Sequence, residues 1–384
     1  MTPLQQACSD IIHKNLAYSW EQIYLLYDRE SPLSIRLSDA YKAVLPPLSI
    51  VREFKNPPQP LYRGGLLNPE NPHISEQNRV MTSHNLAENI RVGLDHHKVI
   101  ETTGAEVLDP QVESIKGELL GLPKGSIAIL VQSTNFRLST FRIRLELFNI
   151  GVHVIEFNHL AYLKESEFET FEKTLEYHTD EYIDALEKFG AFIDRGLMPV
   201  CHSSQGHILS FGRVERARGN TGDYRMSEHK GGTFPIGEIF TEAIDLETVS
   251  GEALIEAYPG DTFEVIHDAP FLIQVERGRV LPSSNFPPGF QKVYNLILEA
   301  EGEVMIREFG LWLNPAVSRE NPLSDINFYE RKIGVHLSLG KKHGIYGKKL
   351  PKTMVQRYHI DVFLALDTVY MGNECIFKNS EWMW

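Results

Sequence analysis

Short apolar runs alternate with amphipathic segments through the first half of the chain. Three runs typical of buried strands are QIYLLYD (22–28), SIAILVQS (126–133) and GVHVIEF (151–157). Helices are predicted between them, because Ser31-Pro32 supplies an N-cap and a first helical residue and Asp109-Pro110 repeats that arrangement. Strand, helix and strand in this order predict parallel strands joined by crossover helices.

The pattern changes in the second half of the chain. An amphipathic segment over 165–196 leads out of the first half, and short strand-like runs with few helical patterns follow it. MPVCHSS and GHILSFGRVE flank a turn signal at 204–206 and predict a hairpin. The pattern predicts two domains, an α/β N-terminal domain over 1–190 and a β-rich α+β C-terminal domain over 191–384.

Composition and charge narrow the class of protein. Among 384 residues, 38 Lys and Arg against 51 Asp and Glu leave a net charge of −13, which opposes binding to nucleic acids or anionic membranes. No apolar run approaches the ~20 residues that span a bilayer. Three widely separated cysteines build neither a disulfide framework nor a CxxC site. We therefore expect a cytoplasmic protein that binds neither nucleic acid nor membrane.

Residues of metal-ligand type recur in the second half. They are Glu238, Glu308, His336, His359 and Asp361. The last two lie two residues apart, so in a strand both project from one face and can reach one ion. Each also has an ordinary alternative: a salt-bridged carboxylate, a helix-terminal charge, a hydrogen-bonded core histidine or a chance His-x-Asp pair. Because the gaps between the first four are 70, 28 and 23 residues, only the fold can bring them together.

The segments around these residues resemble a known family. GEIFTEAID, REFGLWLNPA, ERKIGVHLSLG and YHIDVFLA, in this order, resemble the aminopeptidase T/S type of leucyl aminopeptidases, a dinuclear metallopeptidase family. The resemblance is strongest over 206–365 and implies an aminopeptidase T/S-like architecture with a C-terminal metal-binding domain. It also implies that Glu238, Glu308, His336, His359 and Asp361 are metal ligands. A homodimer acting on a short peptide or another small molecule is implied as well.

One position departs from the family pattern. The family has an active-site tyrosine seven residues after its first metal histidine, where this chain has His343, and Tyr346 follows three residues later. His343 is either a loop residue or a different acid/base group, and Tyr346 is a candidate substitute for the tyrosine. Glu238 and Glu308 are also candidate proton shuttles. The departure concerns peptide hydrolysis and leaves the predicted metal ligands unchanged.

The chemistry has two open alternatives. In a peptidase, one or two ions of zinc, cobalt or manganese activate water and polarise the scissile carbonyl. In the alternative, His336, His359 and Asp361 form a two-His-one-carboxylate face on a single Fe(II). A ring-cleaving 2,5-dihydroxypyridine dioxygenase is similar to this family and keeps only such a triad. Retention of both glutamates favours two metals, whereas a catalytically silent relative is the third possibility.

Two further features are candidates for binding substrate. The segment 340–357 carries six basic residues and no acidic one, so Lys341 and Lys342 are either parts of a solvated loop or groups that attract an anion to the metal. His159 follows a predicted parallel strand, where α/β sheets present ligand contacts. A structural role for His159 is the alternative.

Overall fold

A computed structural model describes residues 1–55, 110–134, 143–225, 231–260, 264–340, 346 and 358–384. These residues divide into two compact units. The described part of the first unit lies within Met1–Thr179 and Gly222–Ile236, and that of the second within Asp180–Thr221 and Gly237–Trp384. In the described ranges no helix is both long and apolar enough to cross a membrane.

The first unit contains a parallel sheet. Its strands are β1 (Ile23–Tyr27), β2 (Ile50–Glu53), β3 (Ile127–Val131), β4 (His153–Phe157) and β8 (Gly231–Thr233), in the order β2-β1-β3-β4-β8. Its helices are α1 (Pro3–Asp10), α2 (Pro32–Val44), α3 (Pro110–Leu120), α4 (Ile143–Asn149) and α5 (Phe168–Lys173). All the pairings are parallel, so the prediction of parallel strands joined by helices is confirmed.

Burial and capping explain these elements. Every residue of β1 and β3 is buried, as expected for parallel strands covered on both faces. Leu119 of α3 and Leu147 of α4 pack against Leu130 of β3 in one apolar core. The Ser31 hydroxyl accepts a hydrogen bond from the Ser34 amide, and α2 begins at the following proline, as its sequence predicts.

The second unit is built around an antiparallel sheet. Its strands are β5 (Pro199–Ser203), β6 (Ile208–Ser210), β7 (Arg218–Asn220), β9 (Glu238–Thr241), β10 (Ser250–Pro259), β11 (Val265–Glu276), β12 (Arg279–Val280), β13 (Ile306–Trp312), β14 (Gly334–Gly340), β15 (His359–Leu364), β16 (Leu366–Met371), β17 (Glu374–Lys378) and β18 (Glu381–Trp382). Their order is β18-β17-β16-β5-β6-β10-β15-β14-β13-β9-β7, and β11 pairs with β10 and β12. The helices are α6 (Thr179–Asp194), α7 (Pro288–Glu301) and α8 (Ile326–Tyr329).

Two sequence patterns in this region have different outcomes. The hairpin predicted around residues 204–206 is confirmed, because β5 and β6 pair antiparallel across that turn. The amphipathic segment over 165–196 is divided into α5 and α6 rather than forming one helix. Helix α5 ends at Lys173, and the hydroxyl of the next residue, Thr174, donates a hydrogen bond to the Phe171 carbonyl.

Strand β13 separates the core from a polar face. Phe309 lies against Phe211 and Phe189, with ring centroids 5.0 and 6.4 Å apart, on the apolar side. Glu308 and Gly310 project from the other side, because side chains alternate along a strand. A β-bulge interrupts the register between Ile306 and Glu308. These residues therefore project from opposite faces, whereas residues two apart in a regular strand share a face.

Candidate metal centre

Four adjacent strands carry the five residues of metal-ligand type. Glu238 begins β9, Glu308 lies in β13, His336 in β14, and His359 and Asp361 in β15. The sheet order places β15, β14, β13 and β9 side by side. Residues separated by up to 70 positions in sequence therefore lie together on one face of the second unit.

His336 reaches two carboxylates from a fully buried position. Its Nε2 atom lies 3.3 Å from Glu308 Oε1 and 3.8 Å from Glu238 Oε1. Glycine is required at residue 310, opposite His336 in the register, because a β-carbon there would overlap the imidazole. One donor atom from each of Glu238, Glu308 and His336 lies within 4.8 Å of the others, close enough to share one cation.

His359 and Asp361 form a second group beside Glu308. His359 Nε2 lies 3.5 Å from Asp361 Oδ1 and 4.0 Å from Glu308 Oε2. Glu308 thus presents Oε1 to His336 and Oε2 to His359. The His359 side chain is 33% exposed and that of Glu238 is 21% exposed, whereas His336 is completely buried.

These residues fit a divalent metal. Two ligands at tetrahedral angles around an ion with bonds of 2.0–2.2 Å lie about 3.4 Å apart, which is close to the separations above. Glu308 Oε2 and Asp361 Oδ1 are buried and have no hydrogen-bond partner among the described residues. Native proteins rarely leave buried polar atoms unpaired, so a cation bound between these groups would satisfy both oxygens.

Clustering of carboxyl groups perturbs their protonation. Burial and the charge of Glu308 raise the pKa of Glu238 well above its usual range. Burial raises the pKa of Glu308 to about 7 and that of Asp361 to about 6, and nearby carboxylates add to both effects. Burial lowers the pKa of His336, so its imidazole is neutral and able to bind a metal. A divalent cation would replace the protons that these carboxyls otherwise retain.

Three residues at this site, Glu330, Arg331 and Trp312, were not predicted from the sequence. Glu330, at the end of α8, hydrogen-bonds with Asp361, and burial raises its pKa to about 7. Arg331 pairs with Glu330 at 2.5 Å and lies 4.2 Å from the centroid of the Trp312 ring. The Trp312 ring also lies near His336, 5.5 Å away between ring centroids. Glu330 lies only six residues before His336 in sequence, but nothing in the local pattern separates it from a surface carboxylate.

The other site residues predicted from the sequence are Tyr346, His159, His343, Lys341 and Lys342. Tyr346 donates a hydrogen bond from its hydroxyl to the Phe240 carbonyl at 3.0 Å, and burial together with the charge of Glu308 raises its pKa. His159 belongs to the first unit, where it is buried after β4 and lies edge-on to Tyr162. His343, Lys341 and Lys342 lie outside the described residues.

Comparisons with known proteins identify the fold. No family model and no curated protein sequence matches the chain. Solved structures resemble it over its whole length. Two of them are 2,5-dihydroxypyridine dioxygenase from Pseudomonas putida, with a TM-score of 0.56, 11% identity and 98% of that chain covered, and AmpT from Thermus thermophilus, with a TM-score of 0.55, 14% identity and 99% covered.

The resemblance predicted from the sequence segments is therefore confirmed at the level of fold. The chain has the mixed α/β architecture shared by AmpT, an aminopeptidase T, and by the dioxygenase. At 11 to 14% identity this likeness establishes the fold alone.

Proposed function

We propose that the protein is a metal-dependent hydrolase of the aminopeptidase type. One observation carries the proposal: Glu308 presents one carboxylate oxygen to His336 and the other to His359, at 3.3 and 4.0 Å. A carboxylate between two groups of ligands suits a two-metal centre, in which ions 3.5–4 Å apart act on one substrate. The structural likeness to AmpT adds support.

The proposed division of ligands follows the two groups. Glu238 and His336 would hold one ion, His359 and Asp361 would hold the other, and Glu308 would be shared. When bound, such ions lower the pKa of a coordinated water and polarise a carbonyl. Both ions would be zinc, cobalt or manganese.

Proton transfer falls to the carboxyl groups of this chain. Glu330 contacts Asp361 and has a pKa raised to about 7, in the range where a group both accepts and donates protons. Glu238 and Glu308 have raised pKa values when no ion is bound, but as ligands of an ion they would be ionised, so Glu330 is the candidate that this site favours. Tyr346 bonds to a backbone carbonyl, so in the proposed enzyme it supports the site rather than replacing the family tyrosine.

A dioxygenase is the second candidate. It would hold one Fe(II) through His336, His359 and Asp361, and the likeness to 2,5-dihydroxypyridine dioxygenase supports it. The distances favour the hydrolase, because the close carboxylates of His336 are Glu238 and Glu308, whereas Asp361 lies beside His359. A substrate for the dioxygenase would be a small anionic aromatic compound.

Metal analysis with two activity assays separates these functions. Protein purified without chelator is analysed for metals and assayed with aminoacyl amides, and a sample reconstituted with iron under anaerobic conditions is assayed for oxygen uptake. The hydrolase predicts two equivalents of zinc, cobalt or manganese and release of an amino acid. One equivalent of iron with substrate-dependent oxygen uptake would establish the dioxygenase instead. Metal binding without either activity would indicate a non-catalytic protein.

A further inference from the structure

A buried serine lies among the proposed ligands. Ser338 is two residues after His336 in β14, so both side chains project from the same face of the sheet. It lies directly opposite Glu308 of β13 on one side and Asp361 of β15 on the other. Directly opposite residues have β-carbons about 5 Å apart, so a carboxylate flanks Ser338 on each side.

The Ser338 hydroxyl has no hydrogen-bond partner among the residues that the structure describes. The residue is completely buried. Because burying an unpaired hydroxyl is unfavourable, alanine would be the more stable residue if packing alone determined this position. The residues of β14 that project from the opposite face, Val335, Leu337 and Leu339, are all apolar.

The neighbouring carboxylates supply suitable acceptors. Glu308 Oε2 and Asp361 Oδ1 are also buried, and in the described ranges neither atom has a hydrogen-bond partner. A serine hydroxyl can donate one hydrogen bond, and an ionised carboxylate only accepts. Carboxylates that bind metals are usually held by such an outer hydrogen bond, which fixes the direction of their lone pairs.

We propose that Ser338 is a positioning residue that donates a hydrogen bond to one of its two flanking carboxylates when a divalent ion occupies the site. This inference rests on the metal centre of the proposed function. Without an ion the buried Ser338 hydroxyl is unpaired, which is unfavourable. With an ion bound, the hydroxyl would hold a ligand in position. Removing the hydroxyl therefore has opposite effects on the two states.

The test compares Ser338→Ala with Ser126→Ala. Ser126 is a matched control because its hydroxyl is also buried and unpaired but lies before β3 in the first unit. Zinc affinity is measured by calorimetric titration of chelator-treated protein, and metal-free stability by thermal unfolding. We expect Ser338→Ala to bind zinc about 10- to 100-fold more weakly with an equal or higher metal-free melting temperature. Ser126→Ala should leave zinc affinity unchanged.

Three results would overturn the inference. If Ser338→Ala binds zinc with wild-type affinity, the proposed hydrogen bond is refuted, whereas the proposed metal centre is not. A lower melting temperature of metal-free Ser338→Ala would indicate an ordinary structural role. Failure of the wild-type protein to bind zinc, cobalt, manganese or iron would overturn both this inference and the proposed function.

Discussion

Individual residues determine how closely the proposed ligands approach. Gly310 is the clearest case, because the His336 imidazole occupies the space where any other residue would have its β-carbon. Glycine within a strand interior weakens the strand and commonly marks such a close approach. The requirement at residue 310 is therefore one of space rather than of chain conformation.

Substitution Gly310→Ala should displace His336 and weaken zinc binding by about 10-fold or more. The measurement is zinc affinity of chelator-treated protein together with circular dichroism to establish that the fold is kept. Gly190→Ala in α6 is the control, because a β-carbon there meets nothing within 4 Å. Zinc affinity equal to that of the wild type in Gly310→Ala would show that His336 does not bind the metal from this position.

The sequence indicated some site residues and not others. His359 and Asp361 were detectable because a two-residue spacing in a strand puts both on one face. Glu330 and Ser338 were not, because their importance depends on strands and a helix that pack beside them. Gly310 carried a signal, a glycine inside an apolar run, but identifying the overlapping group required the register of β13 against β14.

At the level of elements, the β-bulge controls which way Glu308 faces. Ile306 pairs with Leu339, Glu308 pairs with Ser338, and Arg307 is the additional residue between them. Because of the bulge, Glu308 projects from the same face of the sheet as His336. Ile306, two positions earlier, pairs with a residue whose side chain projects from the opposite face. Strict alternation counted from Ile306 would assign Glu308 to the wrong face.

Deletion of Arg307 should therefore restore a regular ladder and keep Glu308 on the metal-binding face. The chain loses the hydrogen bond from Arg307 Nε to the Gly340 carbonyl, at 2.7 Å, and about 1.5–3 kcal/mol of stability with it. Deletion of Phe309 is the comparison, because it moves the strand residues on one side of the deletion to the opposite face of the sheet. Metal content and urea unfolding are the measurements. We expect metal to be retained by the protein that lacks Arg307 and lost from the protein that lacks Phe309. Loss of metal from both deletions would refute the assignment of the bulge.

Elements in the first unit were the easiest to predict. The apolar runs at 22–28, 126–133 and 151–157 correspond to β1, β3 and β4, and the Ser31 cap begins α2 as expected. Local chemistry specifies these elements almost completely. The order of strands in the second sheet could not be derived in this way, since pairings such as β10 with β15 join segments about a hundred residues apart.

For the whole molecule, the carboxyl cluster connects stability to pH. Burial raises the pKa of Glu308 and Glu330 to about 7 and that of Asp361 to about 6 in the metal-free protein. Between about pH 4.5 and 7 the folded protein thus binds more protons than the unfolded chain. The free energy of unfolding of the metal-free protein should then fall as pH rises through this range, by about 1.4 kcal/mol for each pKa unit.

A bound divalent ion replaces these protons and removes the loss of stability. The increase in melting temperature on adding zinc should consequently be larger at pH 7.5 than at pH 5.5, by about 5–10 °C. Differential scanning calorimetry with zinc or with chelator at both pH values measures it. Glu308→Gln should abolish most of the difference. A zinc-dependent increase that is the same at both pH values would contradict the raised pKa values.

The distribution of ligands over four strands also bears on biosynthesis. Glu238, Glu308 and His336 leave the ribosome before β15, and each needs its neighbouring strands to be held in position. Contacts between distant segments form late, because the intervening chain must first be ordered. A nascent chain that has not yet released His359 and Asp361 lacks the second ligand group entirely. In the proposed enzyme, loading of a complete metal centre would thus wait until translation has passed residue 361.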